Sequence, residues 1–167
     1  MSRSGYTDEY CEDQWALIRW RGAVKAAING RRGQTLLREL AQAMDAMSVK
    51  KLVANELQAD GQFCALGMVG SARGLDLSKL DPEDLSGVAG VFGIAEALAA
   101  EVMWVNDEHV DEHRWIDVEI CGPMRPHYPD WNQHTRTIMV PNEQAAAERF
   151  RTVREWVRTH MMENANV

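Results

Sequence analysis

From Gln14 to Ile28 the apolar residues Ala16, Leu17, Trp20, Val24, Ala27 and Ile28 recur at three- and four-residue steps. At about 100° per residue they form one broad helix face, the side that turns to a core. Asp13 is placed to cap this helix and Asn29-Gly30 to end it, since glycine tolerates the left-handed conformation that follows many helices. Trp15 and Ile18 break the pattern, because they fall among Arg19, Arg21 and Lys25 on the side an amphipathic helix keeps polar. A second helix, about Gly33 to Met47, aligns Leu36, Leu37, Leu40, Ala41, Met44 and Met47. Leu52 to Leu57 fits strand and helix equally, and Asp60-Gly61 signals a turn. Phe63 to Arg73 predicts a short helix closed by Gly74, its small residues inviting a neighbouring helix to approach. Gly67 and Gly70 weaken that helix by about 1 kcal/mol each relative to alanine, so close packing has to compensate.

Asp81-Pro82-Glu83-Asp84 is a strong start signal: an acid at the cap, proline at the first helical position and acids in the first turn. It predicts a helix to about Phe92 that stops at Gly93. Another, Ile94 to about Val105, carries Leu98, Val102 and Val105 on one face and ends before Asn106-Asp107. The period then changes. Apolar and charged residues alternate from Arg114 to Ile120, as in a half-buried strand, and Thr135 to Val140 predicts its partner. The loop between them contains Pro123, Pro126 and Pro129. Pro141 to about Met162 predicts a long last helix with Ala146, Phe150, Val153, Val157 and Met161 buried and Arg149, Arg151, Arg154 and Arg158 on a solvated face. The expected fold is mainly α: a single-domain bundle of five to six helices over residues 1–167. Residues 1–13 form an N-terminal arm, and a small β-hairpin is inserted at about 114–140, in the C-terminal third.

Composition narrows the class. With 167 residues, 46% hydrophobic and 26% charged, the chain is unlike collagen, disulfide frameworks or disordered sequences. Cys11, Cys64 and Cys121 form no C-x-x-C pair, which argues against both a disulfide framework and a cysteine zinc site. No apolar run approaches the roughly 18 residues of a membrane span. The start carries Asp8, Glu9, Glu12 and Asp13 against one Arg3, the opposite of a signal peptide, so a cytoplasmic location is expected. Neither a phosphate loop nor a dinucleotide fingerprint occurs, and no cofactor is expected. The formal charge of −7 is unevenly spread: Gln14 to Arg38 holds six cations and no acid, which leaves −13 on the remainder. Glu96 to Glu119 holds eight acids against Arg114 alone. Such asymmetry bears on partners, or on pairing between the two segments, rather than on fold.

Three constellations can carry chemistry. His109-Val110-Asp111-Glu112-His113 matches the H-x-x-E-H pattern of inverted zinc peptidases, although it lies at a helix-to-strand junction and too little chain follows for a distant third ligand. A structural role outweighs a metal site there. Cys64 falls in the first turn of a helix, where the dipole can activate a thiol, with Asn106, His109 and His113 downstream for a Cys-His-Asn thiol hydrolase. Its apolar neighbours Phe63, Ala65 and Leu66 favour a buried core cysteine. The third is the basic segment, where Trp15, Arg19, Arg21, Lys25, Arg31 and Arg32 combine the residue types of binding hot spots. The hairpin tip repeats them with Arg125, Tyr128 and Trp131. The −13 remainder argues against direct nucleic-acid binding and for a protein partner. The competing account of Trp15 and Ile18 is that the N-terminal arm, with Tyr6 and Tyr10, folds over them. Asp107, Glu108, Asp111 and Glu112 form a candidate acidic patch.

The stretch Gln14 to Leu40, Cys64-Ala65-Leu66-Gly67, Phe92-Gly93-Ile94-Ala95 and Trp104-Val105-Asn106-Asp107 resemble a group of small proteins from tailed bacteriophages and prophages. The Cys-Ala-Leu-Gly and Asn-Asp elements also resemble a domain of unknown function from actinobacteria and their phages. The resemblance covers about two thirds of the chain, the hairpin from about His109 to Val140 being extra, and it transfers no catalytic residue. It implies a phage or prophage setting; the missing catalytic signature, the charge asymmetry and the aromatic-basic surface favour a non-enzymatic, protein-binding role, with an enzyme on Cys64 or on His109 and His113 as the alternative. By analogy the resemblance also implies an inhibitor of host defence, of the anti-CRISPR kind, that binds a nucleic-acid-processing complex.

Overall fold

The computed structural model describes residues 3–6, 13–119 and 135–162. It is mainly helical, with six α-helices and two small antiparallel sheets among these residues. The described residues form two compact units, one holding everything up to Val110 and from Ala146 onward, the other spanning Asp111–Ala145.

In the first unit α1 (Gln14–Asn29) starts where Asp13 accepts the backbone N–H groups of Trp15 and Ala16, as its sequence position predicts. It ends at Gly30, but that residue is extended (φ −68°, ψ 155°) rather than left-handed. The glycine that matters lies three residues on, since a Cβ at Gly33 would drive into the Ala27 carbonyl. The chain turns so tightly there that α2 (Arg31–Ala46) begins two residues ahead of its predicted start. Buried Gln34 holds the corner: Nε2 donates to the Ile28 and His160 carbonyls (3.0 Å each), and Oε1 accepts the Met162 N–H (2.8 Å).

Residues 52–57 form neither of the predicted alternatives, strand or helix. Other parts of the fold satisfy their backbone instead, as burial requires. The Leu52 N–H donates to the Ala146 carbonyl, and Arg149 donates to the Leu52 carbonyl at 2.8 Å. Arg149 is therefore buried, not on the solvated face assigned to it. A minimal hairpin follows, β1 (Gln58–Ala59) and β2 (Gln62–Phe63), turned by Asp60 (φ 49°) and Gly61 (φ 74°). Helix α3 (Ala65–Ala72) packs against α2, as its small residues predict, and its glycines also admit a loop and side chains: a Cβ at Gly67 would strike the Leu57 carbonyl, and one at Gly70 the Leu77 and Phe92 side chains.

After a 3-10 turn (Leu77–Lys79), Asp81 caps only a turn, taking the Glu83 N–H at 2.9 Å. Helix α4 (Leu85–Phe92) starts three residues later than the proline predicts, because Asp84 caps it through the Gly87 N–H and the bare Cα of Gly87 leaves room for that carboxylate. Gly93 ends it in the left-handed conformation (φ 67°), as predicted. Helix α5 (Glu96–Asp107) packs against α1, α3 and α4 and is buried along most of its length. It includes Asn106 and Asp107, which were expected beyond its end.

The second unit is the predicted hairpin, β3 (His113–Glu119) with β4 (Thr135–Pro141), in register from His113↔Pro141 to Glu119↔Thr135. One face carries half-buried Ile116, Val118, Ile138 and Val140; the other exposes the cross-strand pair Trp115 and Met139. Pro141 closes β4 instead of opening the last helix. Asn142 turns the chain by accepting the Gln144 N–H, and α6 (Ala145–His160) follows. Val153 and Val157 of α6 are fully buried, as its stripe predicts. No single described helix is long and apolar enough to cross a membrane.

Candidate functional site

Helix α1 needs only part of its circumference for the core. Val24 and Ile28 are buried, and Leu17, Trp20 and Ala27 half-buried. The opposite side leaves Trp15 71% and Ile18 58% exposed, among the most exposed large apolar side chains described. Arg19, Arg21 and Lys25 surround them, and Arg31 and Arg32 follow at the start of α2. All five cations are exposed and have no ion pair or hydrogen-bond partner among the described residues. The alternative of pairing between basic and acidic segments is therefore not how the chain uses these charges. An exposed Trp–Ile pair flanked by the unpaired cations Arg19, Arg21 and Lys25 can take an apolar side chain and acidic neighbours from another molecule.

The described part of the N-terminal arm lies elsewhere. The Tyr6 ring packs between Trp20 (5.6 Å between centroids) and Trp104 (5.5 Å), and its hydroxyl donates to Glu101 at 2.5 Å. Burial, followed by that carboxylate, raises the Tyr6 phenol above its ordinary pKa. Ser4 donates to Glu108 at 2.8 Å, and Arg3 grips Asp107 through Nε (2.5 Å) and Nη2 (3.0 Å). Burial alone would ease the proton off the Arg3 guanidinium, but Cys64 and Asp107 outweigh it and hold the charge more firmly. Tyr10 lies outside the described residues.

Two sequence elements meet beneath this strap. Asn106 accepts the Ala65 N–H (3.0 Å) through Oδ1, and through Nδ2 donates to the Val53 carbonyl (2.8 Å) and to Asp107 (2.7 Å). Asp107 also accepts the N–H of Asn55, a residue at φ 62°. Cys64 is the cap residue of α3, not a member of its first turn, and its Sγ accepts the Gly67 N–H at 3.3 Å. The Cys-Ala-Leu-Gly and Asn-Asp elements are thus one buried network, closed by Arg3.

This geometry corrects two expectations. Within the candidate acidic patch Asp107 is buried against Arg3, whereas Glu108, which accepts from Ser4, is exposed, as are Asp111 and Glu112 in the second unit. The Cys-His-Asn arrangement is not assembled: Cys64 is 1% exposed, and His109 instead meets Trp104 edge to face (4.2 Å between centroids) with Nδ1 3.4 Å from that residue's carbonyl. His113 opens β3, and the residues between Asp107 and His113 are not helical, so the two histidines do not share the helix face that the zinc pattern needs. Among the described residues no group of three or more His, Cys, Asp or Glu converges to hold a metal ion.

Arg125, Tyr128 and Trp131 lie outside the described residues. Sequence reasoning missed the roles of Arg3, Asn55 and Asn106; the one available signal was that Arg3 is the only cation in an acidic arm. No protein-family model, curated protein or solved structure matches this chain.

Proposed function

We propose that this chain is a non-enzymatic phage or prophage protein that works by docking a protein partner on the exposed face of α1, as an inhibitor of a host nucleic-acid-processing defence complex of the CRISPR type. One observation carries the docking: Trp15 and Ile18 stand in solvent on the same side of α1 as the unpaired cations Arg19, Arg21 and Lys25, although the helix buries its other side. Tryptophan and arginine dominate interface hot spots, where truncation of one residue costs about 2 kcal/mol or more. The phage setting and the defence target come from the resemblance of the chain's motifs.

The test uses the full-length tagged protein in a host whose defence complex targets a phage, with a photo-crosslinking residue at position 18. The expected result is a covalent adduct with a subunit of that complex and restored plaquing of the phage, both lost in Trp15→Ala/Arg21→Glu. Plaquing that stays restricted, or an adduct that forms equally well with the variant, defeats the proposal.

A further inference from the structure

The exposed side of α1 has a periodicity of its own. Trp15, Ile18, Gly22, Lys25 and Asn29 follow one another at steps of three, four, three and four, and all are exposed. That is the a/d spacing by which two helices pack along a left-handed seam. In the same frame Arg19 and Ala26 occupy the flanking e positions and Arg21 a flanking g position. The first half of the seam projects two large side chains. The second half is low, because a Cβ on Gly22 would meet nothing within 4 Å and Ala26 is small and exposed. Lys25 can lay its aliphatic stem along such a surface and keep its ammonium in water. The seam covers four helical turns, about 20 Å at roughly 1.5 Å per residue.

We infer that this seam receives an amphipathic helix of the partner protein, one with acidic residues on both sides of its apolar stripe. The inference rests on the reading of the α1 face as a protein-docking surface and names the occupant. Charge selects it: the flanking positions Arg19 and Arg21 are both positive and both unpaired, and flanking charges decide which helix a seam accepts. A second copy docking α1 against α1 would supply no acid to the seam or its flanks and would bring the cations of both copies, Lys25 at the seam included, close together. A nucleic acid would satisfy the cations and could stack on Trp15, but its phosphates leave the aliphatic side chain of Ile18, 58% exposed, without a counterpart. An acidic amphipathic helix meets both needs at once.

The experiment uses the full-length chain and two fluorescein-labelled synthetic helices of 21 residues, identical in a leucine seam, one with glutamate and one with lysine at the flanking positions. Anisotropy titrations are run at low salt, with a 20-nucleotide oligothymidylate as a third probe. The glutamate helix should bind at least about tenfold more tightly than the lysine helix, the size expected when two flanking pairs change sign. Arg19→Glu/Arg21→Glu should reverse the preference, and Ile18→Asp should abolish binding of both. All three substituted residues are exposed, and circular dichroism verifies folding. No preference, an unreversed preference, or oligothymidylate binding tighter than the glutamate helix overturns the inference. A host protein that crosslinks through position 18 by a non-helical or non-acidic segment also overturns it while leaving protein docking intact; no crosslink at all defeats both.

Discussion

Replacing Arg3 with methionine removes a guanidinium whose side chain is 2% exposed and strands the carboxylate of Asp107, itself 5% exposed. Breaking a buried pair from one side costs about 3–5 kcal/mol, because the surviving charge keeps its desolvation penalty. The lower end applies here, since Asp107 keeps the Asn55 N–H and Asn106 Nδ2 as donors. A loss of about 3 kcal/mol corresponds to a fall in Tm of roughly 6–12 °C for a chain of this length. Asp107→Leu should cost more, about 5 kcal/mol, because it strands the arginine and also deprives Asn55 and Asn106 of their acceptor. The double variant leaves no buried charge at this site and loses only those two acceptor contacts, about 2 kcal/mol in all. Urea unfolding followed by circular dichroism at pH 7 should therefore show the double variant more stable than Asp107→Leu alone. Single losses that add to the double loss within about 0.5 kcal/mol would refute the buried network.

Three further outcomes follow from particular contacts. Gly67→Ala should destabilise by more than about 3 kcal/mol in urea titrations, because its Cβ has to displace the Leu57 backbone, whereas Gly22→Ala on open helix surface should stabilise by about 0.5–1 kcal/mol. Tyr6 should make wild-type stability fall on alkalinisation: a phenol whose pKa is raised in the fold contributes stability that is complete below its unfolded value near 10 and is lost as pH climbs towards the folded one. Tyr6→Phe should show a shallower decline between pH 9 and 11 in denaturant titrations, and an identical decline would remove Tyr6 as the cause. In a Cys11→Ser/Cys121→Ser background, native Cys64 should react with iodoacetamide at least about a hundredfold more slowly than in urea, since opening of a 1% exposed thiol limits the rate; native labelling as fast as in urea would restore the thiol-hydrolase reading.

Much of the bundle was legible because its signals are local. Asp13, Gly93 and the stripes of α2 and α6 act within a turn or two of themselves, and they predict what the fold contains. What escaped depends on residues far apart. Pro82 suits the start of a helix and a turn alike, and the choice went to Asp84 because Gly87 admits its side chain. Arg149 looks like a surface cation on its own helix, yet it is buried because the Leu52 carbonyl, distant in sequence, needs a donor. Asp107 counted as surface acid for the same reason: nothing near it in the chain announces Arg3. The α1 face was legible because misplacement of Trp15 and Ile18 is itself a local pattern.

Arg31 and Arg32 open α2 at its positive end, where Gly30 offers no side-chain cap and the first turn holds no acid. Cations so placed oppose the helix dipole by about 0.3–1 kcal/mol each at low ionic strength. The free protein thus carries a standing electrostatic strain that mobile ions relieve, with a screening length of about 10 Å at 0.1 M salt. Added salt should raise the unfolding midpoint of the isolated chain and, by screening Arg19 and Arg21 as well, weaken the proposed docking of an acidic helix on α1. If α1 docks an acidic helix as proposed, folding and recognition would answer one variable with opposite signs.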